Sequence, residues 1–464
     1  MSVPYWVEDA IFYQIFPDRF AQGESKDHLP GIQPWDEPPT SYGFKGGDLR
    51  GIIEKFDYLL DLGINAIYLN PIFQSASNHR YNATDYFKID SKLGDLHDFQ
   101  VFLNVAHHNQ VKIILDGVFN HCGRGFFAFN DLLENQEKSL YKDWFHVLSF
   151  PINAYSPGDA VEYLAWWKYK SLPKFNTSNP ATRKYLLEVA CYWIEQGADG
   201  WRLDVPNEID DDEFWAEFRQ VVRKANPEAY LLGEIWEPEP RWVGDDHFDG
   251  LMNYPAREAI LYFLTNKWSA SLFMDRISRL FSIYPRENVY ANFLSLGTHD
   301  TERVLTVLGE DQKKVKLAFL IQFSLPGCPS IYYGDEIGLD GGKDPECRKA
   351  FPWDKADWDG DLRSYVQKLV FLRKSSTALR RGNFTKILSD DSRNCAAFAR
   401  TLGQEKILVV VNASSTKRTI RLPVGELGFE DGYILHNLIG EGDFIVSGAD
   451  LPLALPARGG LLLK

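Results

Sequence analysis

The sequence predicts an α/β fold: a closed (β/α)8 barrel of TIM type, with a lobe inserted after its third strand and an all-β sandwich domain behind it. Three features predict it. An amphipathic helical stretch running into a short apolar strand recurs four times in the first half of the chain, the order that builds a parallel sheet. The third predicted strand ends near Asp116 and the fourth begins near Gly200, a gap far longer than one helix needs. From about residue 383 the helical periodicity stops, and short apolar runs alternate with turns.

Taken in order, Ile11–Phe16 is the first strand. Leu49, Ile52, Ile53, Phe56, Leu59 and Leu60 recur at helical spacing, Gly63 stops that helix, and Asn65–Asn70 follows as a buried strand. Leu96, Phe99, Phe102, Leu103 and Ala106 lead into Val111–Asp116. Tyr185, Leu186, Val189, Trp193 and Ile194 precede the stop at Gly197 and the strand Gly200–Val205. Phe214, Trp215, Phe218, Val221 and Val222 precede Ala229–Glu234. Gly250–Tyr254, Asn292–Gly297 and Cys328–Gly334 complete a set of eight, the number that closes a barrel. An open doubly wound sheet competes with this reading, but no G-x-G-x-x-G phosphate turn follows the first strand. The chain therefore divides into a barrel over 1–120 and 177–382, an inserted domain over 121–176 and a C-terminal sandwich over 383–464.

The insertion is crowded with Phe126, Phe127, Phe129, Trp144, Phe145, Tyr155, Tyr163, Trp166, Trp167 and Phe175. Most of these are read as the lobe's own small core, although the lobe leaves the C-terminal ends of the strands, where such barrels bind ligands. In the last domain Ala396–Arg400, Lys406–Val411 and Thr419–Leu422 read as strands. No low-complexity or polar linker precedes them, so this domain is expected to pack directly on the barrel.

Composition narrows the partners. The 464 residues are 45% hydrophobic and 25% charged, an ordinary globular balance with room for a large core. Fifty basic against 64 acidic residues leave a net charge of −14, without a long Lys/Arg run, which argues against nucleic acid and anionic membranes and for a neutral substrate. The N-terminus lacks a basic and then apolar leader, and no run approaches the roughly 18 apolar residues of a membrane span, so a cytoplasmic location is expected. Cys122, Cys191, Cys328, Cys347 and Cys395 are scattered without a C-x-x-C pair and read as reduced thiols in or near cores, not as a disulfide framework or a zinc site. His107 and His108 occupy adjacent helical positions that cannot face one ligand, so a solvated surface is expected there. Asp48, in a Gly-rich turn opening a helix, reads as a cap.

The chemistry is expected at the strand ends, where Asp116, Asp204, Glu234, Asp300 and Asp335 recur and are predicted to converge on the barrel mouth. Carboxylates gathered in one pocket hold a metal, form an ion-pair network or do chemistry. Side chains two apart on a strand share a face, so Arg202 and Asp204 both point inward while Leu203 faces the helices. A cation beside Asp204 favours its ionised form, as a nucleophile requires; an ordinary buried ion pair has the same two residues. Glu234 follows Leu231, Leu232 and Gly233 with no basic neighbour in sequence, and a less polar setting there would raise its pKa for acid work.

Asp116–His121 (DGVFNH), Gly200–Asp204 (GWRLD), Gly233–Trp236 (GEIW) and Gly297–Asp300 (GTHD) resemble, in order, the four signature regions of the α-amylase superfamily. Gly46–Gly51, Leu172–Asn176 and Gly327–Glu336 extend the resemblance over nearly the whole chain. Leu172–Asn176, Val205–Glu208 and Asp344–Arg348 are most similar to the neopullulanase, cyclomaltodextrinase and maltogenic amylase group. The resemblance implies a retaining hydrolase of α-glucosidic bonds in maltooligosaccharides, pullulan or related α-glucans. In it Asp204 is the nucleophile, Glu234 the acid/base, and Asp300 grips sugar hydroxyls at the transition state; two carboxyls about 5 to 5.5 Å apart are the mark of retention. It further implies that His121, Arg202 and His299 contact the sugar at the cleavage point and that Tyr81 stacks on its ring. Asp344 and Arg348 bind the neighbouring sugar, and Glu208 and Trp236 line the acceptor side. A glucanotransferase or isomerase on the same scaffold is the first alternative. A non-catalytic binding relative is disfavoured because Asp204, Glu234 and Asp300 are all kept.

Two departures from the group stand out. Its members usually carry an N-terminal β domain that helps form a dimer and walls the site, whereas here the first predicted strand begins within about a dozen residues of Met1. The reading is a chain without that domain, of open oligomeric state, with a wider cleft suited to longer or branched chains and to α-1,6 links. Many relatives also bind calcium in an Asn/Asp-rich loop after the first strand. Here that loop reads Gln22-Gly-Glu-Ser-Lys-Asp27, with a cation among too few oxygens, so no metal or other cofactor is expected.

Overall fold

The computed structural model describes residues 3–24 and 31–464. Its central sheet has eight parallel strands: β1 (Phe12–Ile15), β2 (Ala66–Leu69), β3 (Lys112–Gly117), β4 (Gly200–Leu203), β5 (Tyr230–Gly233), β6 (Gly250–Leu251), β7 (Phe293–Ser295) and β8 (Cys328–Tyr332). They pair in the order β6-β5-β4-β3-β2-β1-β8-β7. A bridge between Met252, just past β6, and Phe293 of β7 joins the two ends, and the Asn253 N–H donates to the Phe293 carbonyl at 2.9 Å. The sheet is thereby closed into the predicted barrel. The predicted run Gly250–Tyr254 contracts to two residues because the Asn253 side chain caps the helix Tyr254–Leu264, with Pro255 in its first turn.

Alternation along the strands sorts residues between two cores. Ile11, Tyr13, Ile67, Leu69, Ile113, Leu115, Trp201, Leu203 and Leu231 face the helices and belong to one large cluster. Phe12, Ala66, Tyr68, Ile114, Tyr230, Leu232, Met252 and Phe293 fill the interior as a second. Moving two residues on from these inward positions turns the rows polar: Gln14 after Phe12, Asn70 after Tyr68, Asp116 after Ile114, and Glu234 after Leu232. A packed apolar floor thus carries a polar rim at the C-terminal ends of the strands. Two glycines are required by geometry: Gly63 ends its helix at φ 89°, and a Cβ on Gly200 would come within 2.2 Å of the Tyr230 carbonyl on the neighbouring strand. Asp48 caps its helix as expected, accepting from the Gly51 N–H at 2.7 Å. His107 differs from its expected solvated state: its Nε2 lies 2.7 Å from Asp199, which also holds Lys112 at 2.8 Å, so this histidine ties its helix to the barrel floor.

Between β3 and β4 the chain builds a lobe on the helix Phe127–Asn135 and a few isolated bridges, His121 to Lys174 and Phe145 to Phe175 among them. Phe126, Phe129, Phe145, Tyr163 and Phe175 are buried and form its core, while Tyr155 and Trp167 face outward. After residue 382, strands Asn383–Asp390, Cys395–Leu402, Glu405–Asn412 and Gly459–Leu463 make a four-stranded antiparallel sheet. Two two-stranded sheets accompany it. Ile407, Val409 and Val411 face the barrel's helices, while Leu408 and Val410 face the sandwich interior. Arg400 crosses that boundary, donating to the Ser324 carbonyl at 2.6 Å, so the domain sits directly on the barrel.

Candidate active site

Arg202 organises the rim. The side chain is fully buried, and an unpaired buried guanidinium would cost several kcal/mol, on the order of the penalty for any desolvated ion. Its Nη1 donates to Asp116 Oδ1 and to Asp204 Oδ1, each at 2.9 Å, and its Nη2 lies 2.9 Å from Glu234 Oε1. Asp116 is held by more donors: both the Tyr68 and the Tyr81 hydroxyls point at its Oδ2, at 2.5 and 2.6 Å. Burial raises both phenols well above their usual pKa, so they remain donors. Asp116 thus anchors the arginine, and the arginine holds Asp204 and Glu234 side by side at the strand ends.

Glu234 has the raised pKa expected of it, but not the expected isolation from cations, and Asp204 departs from its expected ionised state because burial outweighs Arg202. The glutamate has no basic neighbour in sequence, yet it shares Arg202 with Asp204. It also accepts from the Val205 N–H at 3.0 Å and from Trp236 Nε1 at 3.3 Å. Burial raises the pKa of Asp204 well above the usual range, and the charge of Glu234 adds to this while Arg202 opposes it. Burial likewise raises Glu234, with Arg202 and the Val205 N–H opposing. Two such neighbours lose their protons in sequence as a pair, which provides a state with one acid and one carboxylate.

Val205 itself is unusual. It sits at φ 37°, ψ 51°, in the left-handed region that a β-branched residue avoids at a cost of order 1–3 kcal/mol. That turn follows Asp204 directly and aims the Val205 N–H at Glu234. No sequence pattern signals it, because valine is the last residue expected in that conformation.

Asp300 faces the pair from the β7 side. His299 Nε2 lies 2.9 Å from its Oδ2, and Arg348 Nη2 reaches its Oδ1 at 3.1 Å. Burial alone would raise its pKa, but His299 and Arg348 reverse the effect and hold it well below the usual carboxylate range. Asp300 is therefore ionised at working pH. His299 is fixed in turn by Gln14 Nε2, 2.9 Å from its Nδ1, and by the Tyr81 hydroxyl, 2.5 Å from its Nε2. The Tyr81 and His299 rings stack at 5.3 Å. His121 is buried against the Tyr81 carbonyl at 3.1 Å, and burial lowers its pKa to about 3, so it is neutral and acts through hydrogen bonds.

The remaining predicted residues lie farther out. Arg348 Nη1 binds the half-exposed Asp344 at 3.2 Å, which extends the Asp300 side. Trp236 is half-exposed and lies flat on Tyr254, the rings 3.8 Å apart. Glu208 is exposed, and its carbonyl accepts from Lys174 Nζ at 2.5 Å. Asp335 does not join the cluster as expected. It is buried 2.9 Å from Arg303, a packing contact away from the carboxylates on Arg202, and burial pushes its pKa up to about 7. Gln14, Tyr68, Asn70 and Tyr254 are not among the site residues that the sequence predicts. The first three were within its reach, since the same two-residue step that leads to Asp116 places them on inward faces.

Three buried carboxylates on one arginine, a fourth held ionised by His299 and Arg348, and the aromatic faces of Tyr81 and Trp236 are suited to bond cleavage in a neutral, hydroxyl-rich substrate. On this barrel they define a glycoside hydrolase. The chain belongs to the α-amylase family: residues 14–380 match the alpha amylase catalytic domain, and residues 384–462 match the C-terminal domain of maltogenic amylase. It is 44% identical to a cyclomaltodextrinase of Geobacillus thermopakistaniensis over 99% of this chain and 78% of that protein. It is 40% identical to an intracellular maltogenic amylase of Bacillus subtilis over 91% of this chain and 71% of that one. The solved structure of the cyclic α-maltosyl-(1→6)-maltose hydrolase of Arthrobacter globiformis, in complex with cyclic α-maltosyl-(1→6)-maltose, superimposes with a TM-score of 0.90 at 36% identity, covering 100% of both chains.

Proposed function

We propose that this enzyme hydrolyses α-1,4 and α-1,6 glucosidic bonds in maltooligosaccharides and branched α-glucans with retention of configuration. The observation that carries the reading is the sharing of Arg202 between Asp204 and Glu234, a bridge that suits the close carboxyl spacing of retaining enzymes, about 5 to 5.5 Å, better than the wider gap of inverting ones. Asp204 attacks the anomeric carbon as Glu234 delivers its proton to the departing glycosidic oxygen, so the C–O bond breaks as an ester to Asp204 forms. Glu234, now a carboxylate, takes a proton from water, whose oxygen displaces Asp204 from the same carbon. Two inversions give retention. A glycosidic oxygen beside Glu234 accepts a hydrogen bond only from its acid form, so bound substrate places the shared proton there. Asp300, whose carboxyl His299 and Arg348 hold below the usual range, bonds sugar hydroxyls as positive charge develops.

Activity on α-1,6 links is supported by the full-length likeness to a hydrolase whose substrate contains such a link. We place the enzyme in the cytoplasm, as for the relative called intracellular. Among the described residues no helix is long and apolar enough to cross a membrane. The reaction as derived requires no metal. Asp18, the carboxylate following β1, is committed to Arg19 at 2.8 Å and to the N–H groups of Lys45 and Gly46, which leaves a poor donor set for a calcium ion that takes six to eight oxygens. Ser25, Lys26 and Asp27 of that loop lie outside the described residues.

Initial rates on pullulan, branched oligosaccharides and linear maltooligosaccharides test the reading. Cleavage of all three is expected, with hydrolysis products dominant at high substrate. Negligible α-1,6 cleavage would remove the debranching part, and dominant products longer than the substrate would show transfer in place of hydrolysis.

A further inference from the structure

Resting on the hydrolase reading, a second feature leads out of the site. The His121 ring, buried beside Tyr81, stacks on Trp166 with centroids 5.5 Å apart and planes 20° from parallel. Trp166 stacks on Trp167 at 4.9 Å and 12°, and Tyr169 lies 6.2 Å from Trp166. Exposure rises along the row, from buried His121 to Trp167 at 71% and Tyr169 at 54%. An indole this exposed forgoes one of the largest burial gains open to any side chain.

The backbone makes the display deliberate. Trp167 (φ 45°, ψ 28°) and Lys168 (φ 63°) are both left-handed, consecutive and not glycine, each at a cost that only a well-held segment sustains. The holding bonds are present: Trp166 N–H to the Leu172 carbonyl at 3.0 Å, Leu172 N–H to that of Tyr169 at 2.9 Å, and Ala160 N–H to that of Lys168 at 2.8 Å.

We propose that Trp167, with Trp166 and Tyr169, is an outer binding platform for glucosyl units of long or branched chains whose cleaved bond lies at Asp204. Pyranose rings offer flat C–H faces that stack on indoles, and Trp167, covered on its Trp166 side, keeps 71% of its surface exposed. The row joins the site through His121 and Tyr81, and a neutral chain meets no repulsion from a protein of net charge −14.

The test compares native enzyme with Trp167→Ala and Trp167→Phe on amylopectin and on maltotriose. The expected result is a fall of about tenfold in kcat/KM on amylopectin for Trp167→Ala, carried by KM, with maltotriose changed by less than about twofold and Trp167→Phe near native on both. Equal losses on both substrates, no loss on either, or a Phe variant as impaired as the Ala variant would overturn the platform while leaving the hydrolase reading intact. Failure of the native enzyme to cleave either substrate would overturn both.

Discussion

Replacing Asp204 with alanine lowers turnover on any cleaved α-glucan by on the order of 10⁴-fold or more, with the fold retained. The size follows from the role: without the carboxylate no ester forms, and the remaining groups support only direct attack by water. That is roughly 5 to 6 kcal/mol of lost transition-state stabilisation. Removal of Asp204 is compatible with folding because it takes away one of several acceptors on Arg202 and leaves Asp116 and Glu234 to neutralise it. Circular dichroism and the thermal midpoint are therefore expected near native. A variant keeping near-native turnover would show that Asp204 is not the nucleophile.

Arg202→Ala has the opposite balance, with activity and stability lost together. Asp116, Asp204 and Glu234 would then share a buried rim without the cation they all contact, and breaking a buried pair in this way costs about 3–5 kcal/mol. The thermal midpoint should fall by several degrees and turnover by about three decades relative to native enzyme, on the order of an electrostatic deletion at a preorganised site. Arg202→Lys separates charge from geometry: a single ammonium cannot span the acceptors that the planar fork reaches, so stability should return in part and activity very little. Full activity in the lysine variant would mean that the bridge between the carboxylates is unimportant.

Much of the fold was legible because it obeys simple periods. All eight barrel strands sit on the apolar runs read from the sequence, and Gly63 and Asp48 act as their residue types suggest. The inward pairing of Arg202 with Asp204 followed from the two-residue repeat of a strand. What was not legible depends on contacts between distant segments. Glu234 looked isolated because its cation comes from β4, thirty-two positions earlier in the chain. Asp335 looked like Asp204, an acid at a strand end, until Arg303 claimed it. The left-handed turns at Val205 and at Trp167–Lys168 run against local preference, and residues held against preference are where sequence reasoning fails and where function concentrates.

The most direct test of the account is to trap the intermediate. Incubation with a fluorinated α-glucosyl fluoride that forms but slowly releases the glycosyl-enzyme, followed by peptide mass spectrometry, should find the sugar esterified to Asp204 and, in turnover with ordinary substrate, products of the α configuration. A label on Glu234, Asp300 or Asp116, or unlabelled enzyme releasing β products, would contradict it.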